Sequence, residues 1–135
     1  MTPLFIDSAY VIALVNRRDR YHLEAESLAR QHQNREFITT DAVLFEIGNA
    51  LARQFRTAAG QIFEQFLNAP EVEIVYTSPQ RLEKAVALYK QMADKQWSLV
   101  DCLSFEIMRE RDIQEALTPD HHFTQAGYRT LFATS

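Results

Sequence analysis

Four of the 18 acidic residues in this 135-residue chain sit in apolar surroundings rather than on charged faces. Asp7 interrupts LFIDSAYVIALV, Glu46 lies within AVLFEIGNAL, Asp101 within WSLVDCLSF and Asp120 within LTPDHHF. An ionised carboxylate taken out of water is costly unless something compensates it, so each needs a cap, a countercharge or a site. Three have a local answer. Asp7 can cap the helix that follows it, Asp120 can cap a turn after Pro119, and Ser98 to Asp101 spells a Ser-x-x-Asp capping box. Glu46 has none, because Thr40 or Asp41 already serves as the cap of its helix. Its stripe carries Asn49 and Arg53 beside the apolar stripe Val43, Ile47 and Leu51, with Arg53 as a charge partner for Glu46.

The elements that must position these acids follow from periodicity. Short apolar runs predict strands at 4–6, 36–39, 72–76, 115–118 and 128–132, and helical patterns fill 8–15, 21–33, 41–56, 58–68, 79–94 and 99–111. The clearest helix is PQRLEKAVALYKQMADK, in which Leu82, Ala85, Val86, Tyr89, Met92 and Ala93 recur on one face after Pro79 in the first turn. Strands alternating with helices imply crossover units, a mainly parallel sheet and an α/β fold of three layers. With no repeat, linker or low-complexity segment, residues 1–135 are expected to form one domain.

In an open parallel sheet, sites form outside the carboxyl ends of the strands, where helix N-termini converge. Asp7 and Asp120 follow strands, Asp101 begins a helix, and Glu46 lies just over a turn into one. All four can meet at one rim. Clustered carboxylates repel and would hold protons unless a cation compensates, and an all-oxygen donor set favours Mg²⁺ or Mn²⁺ over Zn²⁺.

Composition removes other classes. Three glycines, with no GxGxxG or GxxxxGK[ST], argue against a dinucleotide or triphosphate cradle, and no G-x-S-x-G elbow is present. One cysteine, Cys102, excludes an internal disulfide framework and reads as a buried apolar residue. No apolar run reaches the roughly 18 residues of a membrane helix and no signal peptide opens the chain, so a soluble, cytoplasmic protein without membrane partners is expected. The net charge of −4 argues against a general basic nucleic-acid-coating surface but leaves room for a local one.

The ordered set FIDSAYVIAL, TTDAVLFEIGNAL, WSLVDCLSFEIMRE and TPDHHFTQAGYRTL resembles the PIN-domain nucleases, and among them the VapC-like toxins of toxin–antitoxin pairs, from residue 4 to about 132. The resemblance implies a PIN-like α/β/α sandwich around a parallel five-stranded sheet. It implies that Asp7, Glu46, Asp101 and Asp120 form an acidic Mg²⁺ or Mn²⁺ site. It further implies an endoribonuclease that leaves a 5′-phosphate and a 3′-hydroxyl, a homodimer, and a small cognate antitoxin as partner.

Supporting roles are read for Ser8 and Ser98, as caps or orienting hydroxyls, and for Arg53. Arg17, Arg18 and Arg20 are set beside the site rim as phosphate contacts or a solvated loop. His121 and His122 are expected to diverge in a loop. Two other readings compete: a non-catalytic interaction domain that uses its acids as caps, and a phospho-receiver domain. The latter would require paired acids after the first strand and a lysine after the last, which FIDSA and YRTLFATS do not supply.

Overall fold

The computed structural model describes residues 1–133. Five strands, β1 (Leu4–Ile6), β2 (Phe37–Thr40), β3 (Val72–Val75), β4 (Glu115–Leu117) and β5 (Arg129–Thr130), pair in the order β3-β2-β1-β4-β5, every pair parallel. The helices are α1 (Ser8–Val15), α2 (His22–Gln31), α3 (Asp41–Leu51), α4 (Arg56–Asn68), α5 (Pro79–Gln91), α6 (Leu99–Glu110) and α7 (His121–Gln125).

The strand order reverses direction between β1 and β4. Right-handed crossovers then put the helices from the β1-to-β3 half on one face of the sheet and those of the return on the other. Leu4, Phe5 and Ile6 are all buried, as a central strand covered on both faces requires. Register pairs Phe5 with Ala116 and Ile6 with Leu117, so β1 and β4 end level with each other. Asp7 and Thr118 thus leave the sheet side by side.

Gly48 brings α3 and α4 together: a Cβ there would stand 3.4 Å from the Phe63 ring. α3 stops at Leu51 rather than running to 56, because the chain must turn back for Ala59 and Phe63 to pack on it. Arg53 consequently leaves the helix. It lies exposed in the turn and forms no ion pair with Glu46 among the described residues.

α5 packs on α6 through Ala85, with Leu88 and Met92 half-buried beside it. The inward face is therefore rotated by one position from the expected stripe. The small side chain of Ala85 permits close helix contact, while Leu82, Val86 and Tyr89 remain 46%, 39% and 51% exposed. Beneath α6, Phe105 meets Trp97, Phe123 and Tyr128, with ring centroids 4.9, 4.9 and 5.9 Å away. Phe123 belongs to α7, a helix the periodicity did not predict because five residues are too few to show it. Among the described residues, no helix is long and apolar enough to cross a membrane.

Candidate active site

Asp7 occupies the N-cap position of α1 with extended backbone, yet its side chain caps nothing. Its Oδ2 instead accepts a hydrogen bond from the Thr118 hydroxyl at 2.9 Å, joining the ends of β1 and β4 across 111 residues of sequence. Thr118 is fully buried and also receives the Asp120 N–H on the same hydroxyl, at 3.0 Å. Burial above all, with the neighbouring Asp101 and Glu46 and against hydrogen bonds from Thr118 and the Ser8 backbone, raises the Asp7 carboxyl from the ordinary 3.8 to about 7.

Ser8, read as a cap or an orienting hydroxyl, reaches across to another helix. Its hydroxyl donates to Glu46 Oε1 at 2.8 Å, linking α1 to α3. The cap of α3 is Thr40, whose Oγ1 accepts from Val43 N–H, while Asp41 turns away to Thr77. Glu46 is half-buried, and burial first, then Asp101 and Asp120, push its carboxyl up.

Ser98 and Asp101 form the full capping box of α6: Asp101 N–H donates to the Ser98 hydroxyl at 3.0 Å, and Ser98 N–H to Asp101 Oδ2 at 3.1 Å. Capping does not exhaust Asp101. Burial raises its carboxyl, Asp120 adds to the rise, and His122 opposes it. Asp120 does cap its helix, accepting from His122 N–H at 2.9 Å.

At the carboxyl edge of the sheet, flanking the β1/β4 reversal, Asp7 feels the charges of Asp101 and Glu46, Glu46 those of Asp101 and Asp120, and Asp101 that of Asp120. Neither Asp7 nor Glu46 has an Arg or Lys partner among the described residues. Such uncompensated hard oxygen donors suit a divalent cation.

Sequence reasoning missed two contributors. Thr118 gave no signal beyond its place after a strand. His122 does not diverge into a loop: it sits in the first turn of α7 with Nδ1 3.0 Å from Asp101 Oδ2, and its ring centroid lies 4.5 Å from that of His121. Among the described residues, the one group of three His, Cys, Asp or Glu side chains with ligand atoms within 4.8 Å of one another is Asp120, His121 and His122. The fixed spacing Asp120 to His122 is the clue that was available. Arg17 and Arg18 are exposed beyond the far end of α1, about 12 Å of helix from Asp7, and so are not at the acid rim. Cys102 is buried, and burial pushes its thiol up to about 11, the mark of an inert structural cysteine.

A family model described as PIN domain matches residues 4–127. The 23S rRNA-specific endonuclease VapC20 of Mycobacterium tuberculosis, from strains CDC 1551 / Oshkosh and ATCC 25618 / H37Rv, is 26% identical over 125 residues, covering 93% of this chain and 95% of the relative. The crystal structure of Mycobacterium tuberculosis VapC20, titled a sarcin-ricin loop cleaving toxin, superposes with a TM-score of 0.84 at 26% identity, again over 93% and 95% of the two chains.

Proposed function

The chain belongs to the PIN-domain family, and from that premise we propose that it is a metal-dependent endoribonuclease, the toxin of a toxin–antitoxin pair. The observation that carries this reading is the group of electrostatically coupled carboxylates at the strand reversal, two of them without a cationic partner. An interaction domain using its acids only as caps is disfavoured by Asp7, which stands at a cap position and caps nothing.

Asp7, Glu46 and Asp101 would hold Mg²⁺ or Mn²⁺, with Asp120 at the edge of the same group. A divalent cation held there supplies Lewis-acid stabilisation of charge on the phosphoryl oxygens. The chain's own residues orient the reaction. Thr118 fixes Asp7 through Oδ2, and Ser8 fixes Glu46 through Oε1. Glu46 Oε2, the oxygen Ser8 leaves free, is the atom to accept the proton of the attacking water. As the water oxygen bonds to phosphorus the P–O3′ bond breaks, and the leaving 3′-oxygen takes a proton from solvent, giving a 5′-phosphate and a 3′-hydroxyl.

The partners follow from the same reading. RNA is the substrate. The apolar groove lined by Tyr10, Leu14, Phe37, Ile62 and Phe66 offers a seat for an antitoxin segment, and the exposed α5 stripe a surface for a second copy. Residues 1–135 act as one cytoplasmic domain.

Purified ribosomal RNA is the first substrate to test, because VapC20 is a 23S rRNA endonuclease. Discrete fragments are expected with Mn²⁺ and none with EDTA or with Asp101→Ala. Equal cleavage by Asp101→Ala would remove the acidic group from the chemistry.

A further inference from the structure

We propose that His122 is a positioning residue that sets Asp101 in its ion-binding orientation by holding one carboxylate oxygen and leaving the other free; this rests on the metal-dependent reading above. Asp101 Oδ2 receives two donors, the Ser98 backbone N–H at 3.1 Å and His122 Nδ1 at 3.0 Å. The same Nδ1 stands 3.4 Å from Asp120 Oδ1. A ring nitrogen lying against two carboxylate oxygens serves as donor, so the proton belongs on Nδ1. Oδ1 of Asp101 has no hydrogen-bond partner among the described residues.

The backbone of His122 is itself anchored. Its N–H donates to Asp120 Oδ1, and the next residue, Phe123, is fully buried against Phe5 and Phe105. The His122 side chain is only 18% exposed, whereas that of His121 is 75% exposed with its Nδ1 3.8 Å from Asp120. Of two adjacent histidines, one is built into the carboxylate group and the other faces solvent. Two donors on one oxygen restrict carboxylate rotation before any ion arrives. Partners of this kind tune affinity through the orientation of the ligand, so removing one weakens ion binding about tenfold to a hundredfold.

The test uses Mn²⁺ alone as probe, titrated calorimetrically into wild-type protein, His122→Leu, His122→Asn and His121→Ala, with circular dichroism to verify the fold. His122→Leu is expected to bind Mn²⁺ about tenfold or more weakly. His122→Asn keeps an N–H donor near the Nδ1 position and is expected to recover most of that affinity, and His121→Ala to bind like wild type. Wild-type affinity in His122→Leu overturns the proposal, as does an Asn variant as weak as the Leu variant. If His122→Leu does not fold, His122→Asn decides alone: near-wild-type affinity supports the role, and its loss overturns it. RNA cleavage read on the same preparations separates the two ideas. Wild-type protein that cuts no RNA while the Mn²⁺ pattern holds sinks the nuclease reading and still supports the His122 assignment. Wild-type protein that cuts RNA while His122→Leu binds Mn²⁺ normally does the reverse.

Discussion

Asp7 carries opposite demands of folding and chemistry. At 3% exposure its charged form is disfavoured in the metal-free fold, and its carboxyl titrates near 7 rather than 3.8. Between those values the folded state binds the proton and the unfolded state has lost it, so stability falls as pH rises from about 4 to about 7 and levels off above. The size of this effect is on the order of 4 kcal/mol. Thermal melts of the ion-free protein are therefore expected to show a lower Tm at pH 8 than at pH 5. Asp7→Asn removes the buried charge and should raise the pH 8 Tm while abolishing cleavage. A variant that is both less stable at pH 8 and fully active would contradict the assignment on both counts.

At the scale of elements, the acid group depends on parts that carry no acid. α7 is five residues long and has no helical stability of its own, so its placement falls to Phe123, fully buried against Phe5 of β1 and Phe105 of α6. Phe123→Ala is expected to cost about 3–5 kcal/mol in urea unfolding. It should also depress cleavage more than an equally destabilising change remote from α7, because Asp120 and His122 lose their mount. Unchanged kcat in the folded variant would show that α7 is anchored elsewhere. The element boundaries also explain Arg53: the reversal that seats Phe63 over Gly48 ends α3 before that residue can share the Glu46 stripe.

For the whole molecule, an ion that binds only the folded state stabilises it by mass action, about 2.7 kcal/mol when present at a hundred times its dissociation constant. Millimolar Mn²⁺ is expected to raise Tm, and to raise it more at pH 8 than at pH 5.5, where protons compete for the same carboxylates. No shift at either pH would favour a fold whose acids bind nothing. The stripe of Leu82, Val86 and Tyr89 is spaced as one helical face and is left uncovered by α6. If a second copy covers it, Val86→Glu should convert a dimer to a monomer in light scattering without lowering the monomer's melting temperature. An unchanged dimer would move the interface to another face.

Residue order alone determined the alternation of five strands with helices, because apolar periodicity is a local property that survives without any tertiary contact. It also singled out Asp7, Glu46, Asp101 and Asp120, since a carboxylate embedded in apolar runs is anomalous wherever the chain goes. Which face of α5 packs, where α3 ends, and that Thr118 and His122 stand within hydrogen-bond distance of Asp7 and Asp101 were decided by the tertiary structure. Those facts depend on the angle and distance between elements that packing brings together, such as Asp7 and Thr118 from opposite ends of the chain. Spacing in sequence records only neighbours within an element, and a hydrogen bond between two strand ends leaves no periodic trace.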